Sequence, residues 1–535
     1  MENSYVAAVD LGTTKVIIAV AKRAEKGKVE IVAVREHASK GVIKGDLKNN
    51  EQAFAALSAV KNQIEEELGI RISEVYIGIS GQHIECAKAT GGIFVKSSDR
   101  SVSEVTAEDV DRLISEMYKS DLPLEKSIIS VLPQTYKVDD EEEITEPVGM
   151  EGKRLDADFN VIIGQVAAID RIKRCFVRAE MDVLGIMLQP LASSYAVLSE
   201  DEKELGVAVV DIGGGTTDLC IYHDKIIRHI AVLPVGGSDV NKDIKSYGIL
   251  DRHLETLKTL YGEAVAEKAP TQVYVKITAA NGQNAKQVSV RSLAGIIEPR
   301  MYDIIDFVGD QIEKAGYKLG AGIVLTGGGS NLKNLDMLFR NRLGCNVRLA
   351  SPTQYLTDES LEKVNSPKYS TIAGLLIDGV RSGKFTKIEK LPDEEELEAM
   401  GVQVEDVNSY PQEHPTREQI LEAQRRAYEA GQRADREDLE RQRENDNLGG
   451  GAGRPEGGYQ GGEDDEGNIT KPVEPQEPVG PQEPVGPQEP VGPEEPGIEV
   501  VRPPKRGIFG GLVKGLGKLF NPDDVDAEDD YDDRI

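Results

Sequence analysis

The chain has 535 residues and a formal net charge of −30 at pH 7. That length is too great for one hydrophobic core, so two or more domains are expected, and the acidic surplus excludes nonspecific binding to nucleic acid, a polymer it would repel. Cys86, Cys175, Cys220 and Cys345 show no Cys-x-x-Cys spacing, so neither zinc nor a disulfide framework is indicated, and they read as buried thiols of a reducing cytosol.

The first element is an apolar, β-branched run, Val6-Ala7-Ala8-Val9, ending in Asp10 and a turn of Leu11, Gly12, Thr13, Thr14 and Lys15. Asp10 and Lys15 interrupt it, so it does not read as a signal peptide. No run of about 20 apolar residues offers a spanning helix. A second strand, Ile77-Gly78-Ile79-Ser80, ends in a turn through Gly81, Gln82 and His83. His83 reads as a turn histidine making a hydrogen bond rather than half of a catalytic pair, because no Ser or Cys nucleophile has a plausible context. Residues 105–120 form an amphipathic pattern, and two further stretches follow, Leu132-Pro133-Gln134 and Pro147-Val148-Gly149-Met150-Glu151-Gly152-Lys153-Arg154-Leu155.

The opening pattern then returns. Val207-Ala208-Val209-Val210 ends in Asp211 and a turn containing Gly213, Gly214, Gly215 and Thr216. A third apolar strand ends in Gly327, Gly328, Gly329 and Ser330. One Asp-x-Gly turn is usually just a hairpin. Two such turns and a third glycine turn, each closing a buried strand, suit a nucleotide clasped between similar halves. The glycines let backbone N–H groups approach phosphate oxygens, and the threonines add donors. Asp10 and Asp211 can face one Mg²⁺, which prefers carboxylates, waters and phosphate oxygens.

Apolar runs stop near Ile388, and residues 389–504 read as a spacer. Its middle, residues 416–447, suggests a solvated helix or disorder. The repeat Pro-Gln-Glu-Pro-Val-Gly from Pro475 suggests polyproline II. As a coil the spacer would span roughly 60 Å. From Lys505 the chain reads KRGIFGGLVKGLGKLF. On a helical wheel Ile508, Phe509, Leu512, Val513, Leu516, Leu519 and Phe520 share a sector of about 140°, with Lys514 and Lys518 opposite. This is the pattern of a helix lying in a membrane interface, its lysines facing anionic head groups. Half-burying seven such side chains yields on the order of 1 kcal/mol each, against about 1–2 kcal/mol per ordered residue. One anchor is therefore weak, and many on one filament hold together. The aspartates and glutamate after Pro522 would be repelled by anionic lipid.

Together these residues resemble a known family. The Asp10, Asp211 and Gly327 turns are similar to the phosphate-1, phosphate-2 and adenosine motifs of the actin/Hsp70/sugar-kinase superfamily. Within it, the Gly-Ile-Ser-Gly-x-His-Ile stretch at Gly78 and the Leu-Pro-Gln and Pro-Val-Gly-Met stretches resemble FtsA proteins, actin-like membrane tethers of the bacterial division ring. Leu191-Ala192-Ser193-Ser194-Tyr195-Ala196 and Ile297-Glu298-Pro299-Arg300 fit the same family, and the likeness covers nearly all of residues 1–380.

The resemblance implies an α/β, actin-like, two-lobed ATPase body of two RNase H-like domains, followed by a long disordered tail and a C-terminal amphipathic helix. Subdomain 1A would take residues 1–83 and 162–205, 1C 84–161, 2A 206–228 and 292–360, and 2B 229–291. A return helix to 1A would fall in 361–388, the linker in 389–504, the membrane helix in 505–520 and an acidic tail in 521–535. ATP would be held by Asp10, Gly12, Thr13, Thr14, Lys15, Asp211, Gly213, Gly214, Gly215, Thr216, Gly236, Gly237, Gly327, Gly328, Gly329 and Asn331. Glu255 and Lys258 resemble a pair that touches ribose and base, or are a helical i,i+3 pair. Asp10 and Asp211 would hold Mg²⁺ through water, and Gln189 falls where the superfamily positions an attacking water, with slow hydrolysis at most. Arg291, Glu298 and Arg300 would dock the FtsZ tail, and 1C would meet later division proteins. The expected activity is polymerisation and tethering of the FtsZ ring to the cytoplasmic face of the membrane at the division site. An actin-fold metabolite kinase would need a substrate base in the cleft, an Hsp70-like chaperone a β-rich peptide domain, and a PilM-like adaptor would lack the terminal anchor.

Overall fold

The computed structural model describes residues 5–96, 102–277, 286–390 and, as backbone, 498–501. All of them belong to one compact unit, Met1–Leu391 with Glu494–Ile535. The expected linker core, amphipathic anchor and acidic tail lie outside the described residues.

The chain opens with a meander of β1 (Tyr5–Leu11), β2 (Lys15–Arg23) and β3 (Val29–Ala38), followed by α1 (Asn50–Leu68) and β4 (Glu74–Ile79). β1 is buried at nearly every position, which is what a central strand covered on both faces requires of its side chains. An inserted subdomain follows. Its strands are β5 (Ile84–Phe94), β6 (Lys126–Val138), β7 (Glu141–Ile144) and β8 (Arg154–Gln165), in the antiparallel order β7–β6–β8–β5. Helix α2 (Ala107–Met117) starts on a capping box between Thr106 and Asp109 and buries Leu113 and Met117 against this sheet. The chain re-enters the first lobe through α3 (Val166–Arg178) and β9 (Asp182–Leu188), giving a five-stranded sheet in the order β3–β2–β1–β4–β9.

Helix α4 (Gln189–Val197) then leads to a second meander, β10 (Val207–Ile212), β11 (Thr217–His223) and β12 (Ile226–Leu233). Strand β12 carries this sheet past residue 228, where the sequence reading ends the first stretch of 2A. After α5 (Gly237–Ser246) and α6 (Asp251–Tyr261) comes a small hairpin of β13 (Tyr274–Ile277) and β14 (Lys286–Ser289), and then the long α7 (Val290–Ala315). β15 (Gly322–Thr326) and β16 (Val347–Leu349) complete a sheet in the order β12–β11–β10–β15–β16. The two five-stranded sheets therefore share one topology: an antiparallel meander whose first strand pairs in parallel with one later strand, which in turn pairs in parallel with a second. Asp10 and Asp211 occupy the same place in each, near the C-terminal end of the central strand.

Helix α8 (Ser370–Ser382) returns to the first lobe and packs on α4. The contact is made backbone to backbone at Gly374, where a Cβ would collide with Ala192. This crossing sets the site, because α4 carries Gln189 and Ser193 while α8 carries Thr371. Gly374→Val should separate the helices and cost about 1–3 kcal/mol in thermal unfolding. An unchanged melting temperature would show that the crossing tolerates the added volume.

Candidate functional site between the lobes

Both strand ends open into hairpins closed by the same bond. The Gly12 N–H donates to the Lys15 carbonyl at 3.0 Å, and the Gly213 N–H to the Thr216 carbonyl at 2.9 Å. The hairpins face each other across the lobes so closely that a Cβ on Gly214 would overlap Thr14, and one on Gly215 would lie 2.9 Å from the Lys44 nitrogen. Glycine is thus required by the approach of the two turns. At Gly327 the backbone itself requires it: φ is +84°, and a Cβ would sit 2.7 Å from the Ile212 carbonyl. The Gly237 and Ser238 N–H groups, at the start of α5, donate to the Gly213 and Gly214 carbonyls at 3.0 and 2.7 Å.

The hairpins enclose a narrow inner pocket lined by Asp10, Gln189, Asp211, Asp218, Lys368 and the two turns. Its three carboxylates are almost fully buried. Each is oriented by a neutral donor: the Gln189 amide donates to Asp10 at 2.8 Å, the Ser80 hydroxyl to Asp218 at 2.7 Å, and the Ser193 and Thr371 hydroxyls to Asp211. Burial pushes the Asp10 carboxyl up to about 7; Lys15 opposes this and Asp211 adds to it. Burial likewise raises Asp211, against the Ser193 and Thr371 hydrogen bonds, and raises Asp218 well above the usual carboxylate range. Lys15 is itself buried enough that its ammonium is pulled below its ordinary value, although Asp10 pulls the other way. Among the described residues no three acidic, His or Cys side chains form a preorganised metal cluster. The donor set nevertheless fits a Mg²⁺ held by a carboxylate or two, waters and ligand phosphates.

An outer chamber of about 720 Å³ adjoins the pocket and shares Thr13, Thr14, Lys15, Gly213, Gly214 and Gly328 with it. Its lining includes the apolar Val240, Met301, Ile304 and Leu332 and the polar Glu36, Glu255, Lys258 and Asn331. Lys258 bonds Glu255 at 2.8 Å and the Gly237 carbonyl at 3.0 Å, while Asn241 also donates to Glu255 at 2.7 Å. The pair is therefore an i,i+3 ion pair and a wall of the chamber at once. Gly236 packs under the second hairpin, its missing Cβ leaving room for the Gly213 carbonyl. A size within the usual range for a small-molecule site, with a charged narrow end and a partly apolar wide end, suits a phosphorylated planar ligand.

The sequence reading brought together Asp10, Gly12 to Lys15, Asp211, Gly213 to Thr216, Gln189, Glu255, Lys258, Gly327 to Gly329 and Asn331, and the structure places all of them on this cleft. It missed Ser80, Ser193, Asp218, Lys368 and Thr371. Asp218 was legible from the strand register, since it sits directly across from Asp211. Arg291, Glu298 and Arg300 lie elsewhere, on α7. Arg291 is exposed, Glu298 accepts from the Ala266 N–H at 3.3 Å, and the Arg300 guanidinium is paired with Asp243 at 2.7 Å and Asp303 at 2.9 Å. Two expectations need correction. His83 makes no hydrogen bond among the described residues: both ring nitrogens are buried and unpartnered, and burial keeps its pKa low and the ring neutral. Cys86 is exposed rather than buried, since its strand β5 lies at a sheet edge, and Cys345 is half-buried.

Two lobes of one topology, meeting at paired hairpins with an aspartate at the end of each central strand, define an actin-like fold. A family model described as "Cell division protein FtsA" matches residues 208–374, and one described as "SHS2 domain inserted in FTSA" matches residues 81–163, which contain the inserted subdomain's sheet but for the last two residues of β8. The cell division protein FtsA of Pseudomonas aeruginosa is 34% identical over 375 residues, covering 70% of this chain and 88% of that protein. FtsA of Escherichia coli K12 is 32% identical over 393 residues, covering 71% of this chain and 91% of that protein, and FtsA of Bacillus subtilis is 30% identical over 387, covering 72% and 85%. A solved PilM–PilN type IV pilus biogenesis complex aligns at a TM-score of 0.49 and 17% identity over 70% of this chain and 98% of that one, too distant to bear on function. The chain belongs to the FtsA family of cell division proteins.

The buried carboxylates give the site a pH dependence. Because the folded-state pKa of Asp10 lies above its ordinary 3.8, the folded chain keeps a proton that the unfolded chain has already lost. The unfolded state binds fewer protons between about pH 4 and 7, so stability falls as pH rises through that window. Without nucleotide or divalent cation, the melting temperature should fall between pH 5 and 8, and Asp10→Asn should reduce that fall by at least ~2 °C. Parallel curves for the two chains would remove the assignment.

Proposed function

We propose that this chain binds ATP with Mg²⁺ in the cleft between its lobes, polymerises, and tethers the FtsZ ring to the cytoplasmic face of the membrane at the division site. The observation that carries the reading is the pair of facing hairpins over buried Asp10 and Asp211. Their backbone N–H groups, the Thr13 and Thr14 hydroxyls and the Lys15 ammonium would hold the phosphates. Asp10 and Asp211 would hold Mg²⁺ through water, and the ion would neutralise phosphate charge. The apolar side chains of Val240, Met301, Ile304 and Leu332 would take the base, with Glu255, Lys258 and Asn331 toward the ribose.

Binding on both hairpins stabilises the closed cleft, because the ligand interacts with the two lobes only when they are together. The Gln189 amide nitrogen donates to Asp10 at 2.8 Å, which ties the side chain to that carboxylate and leaves its carbonyl oxygen as the group that would orient an attacking water. The proposed turnover is slow at most, with nucleotide acting mainly as a structural ligand. Among the described residues no helix is long and apolar enough to cross a membrane. The reading of membrane attachment rests on the sequence pattern of residues 505–520, supported by the family to which the chain belongs. The α7 surface around Arg291, Glu298 and Arg300 is the proposed dock for the FtsZ tail, with later division proteins meeting the inserted subdomain.

Cosedimentation tests these parts separately. The full chain should pellet with anionic liposomes and carry FtsZ down. Phe509→Glu with Leu516→Glu should abolish pelleting of both. Arg300→Glu should leave the chain on the liposomes and reduce the FtsZ carried about tenfold, the scale expected from losing a charged anchor residue. Undiminished pelleting of the first variant would remove the membrane anchor, and undiminished FtsZ with the second would move the dock elsewhere.

A further inference from the structure

The spacer expected over residues 389–504 is not featureless at its ends. Ile388–Lys390 pairs antiparallel with Ile70–Ile72, and Ile498–Val501 forms a strand, β17, antiparallel to β13. Without β17, the β13–β14 pair would be a two-stranded hairpin with β13 as an open edge. Such hairpins are marginal alone, and an open edge presents unpaired N–H and C=O groups to any extended segment of fitting register. Val275 and Ile277 of β13 are buried in the core of the second lobe, so this edge is held in place rather than free to melt.

The register matches like with like. Ile498 falls opposite Ile277, Val500 opposite Val275, and Glu499 opposite Lys276, which are the pairings that cross-strand positions favour. The segment is also bounded: Pro496 precedes it, and Pro503 and Pro504, which cannot donate to a ladder, follow. Within this proline-rich stretch, Ile498–Val501 is an island of ladder-forming chain.

We propose that Ile498–Val501 is a strand-addition latch, which docks the end of the linker on the edge of β13 and thereby sets the length of the tether. When latched, only residues 502–504 separate the sheet edge from the basic start of the amphipathic segment, a reach of at most about 14 Å from Val501 to Lys505. When released, the whole spacer becomes available, with its span of roughly 60 Å. The body thus has a near and a far position from whatever the terminal segment binds. The consequence for membrane distance rests on the membrane reading of residues 505–520; the pairing itself does not.

The test uses the full chain carrying Lys276→Cys and Glu499→Cys, two residues that face each other in the ladder at a separation a disulfide can span. Mild oxidation followed by peptide mapping should find the 276–499 disulfide within one chain. Adding Val500→Pro, which removes a ladder donor, should lower its yield about tenfold. Failure of the disulfide to form, a yield unaffected by Val500→Pro, or a disulfide found only between chains would each overturn the latch, the last assigning β17 to strand exchange between copies. Liposome pelleting of the oxidised chain is read separately: loss of pelleting with the disulfide intact counts against the anchor and leaves the latch standing.

Discussion

Two carboxylates taken out of water at the meeting of two lobes impose the constraint from which the other features follow. Asp10 and Asp211 end the central strands of separate sheets, and burial favours their protonated forms. An uncompensated buried charge costs several kcal/mol. Gln189, Ser193 and Thr371 supply neutral hydrogen bonds but no positive charge, and Lys15 is itself partly desolvated. In the proposed function a divalent cation and the phosphates it bridges complete this balance. Closure of the lobes and occupancy of the cleft are then one event seen from two sides.

The duplicated topology explains why the machinery lies where it does. Each half brings an antiparallel meander, a strand ending in aspartate and a hairpin closed by one short backbone bond. Facing the halves brings the hairpins into contact through glycines, so neither half alone forms the pocket. The crossing of α4 and α8 at Gly374 adds the second requirement, since it brings Ser193 and Thr371 within 3.0 Å of each other and both within hydrogen-bond distance of Asp211. The proposed nucleotide site and the lobe geometry therefore share the same few side chains. Insertions sit away from this centre: the β5–β8 subdomain leaves the first sheet after β4, and the β13–β14 hairpin leaves the second lobe between α6 and α7.

Much of the site was legible in the chain because its residues belong to local patterns. A buried strand, an aspartate and a glycine turn lie within ten residues of one another, and the pattern recurs. The resemblance to a known family supplied Glu255, Lys258, Gln189 and the subdomain order, none of which periodicity alone assigns. What stayed hidden depends on contacts across long stretches of sequence. Ser193 and Thr371 are 178 residues apart, and Ser80 and Asp218 are 138 apart, so only the folded lobes make them partners. His83 illustrates the opposite error: a polar residue in a turn suggests a partner, but its ring is buried against Gly81 with none among the described residues. The strand at Ile498 was concealed by its surroundings, since four ladder-forming residues between prolines carry almost no periodic signal.

The central claim, that the paired aspartates work through a divalent cation on a bound nucleotide, is tested most directly by calorimetric titration of the wild-type chain with ATP, with Mg²⁺ present and again with the metal chelated. The account predicts saturable binding with Mg²⁺ and a loss of at least about tenfold in affinity on chelation, as for a site that leaves two carboxylates facing the phosphates without an intervening cation. Equal affinity under both conditions, or no binding under either, would contradict it.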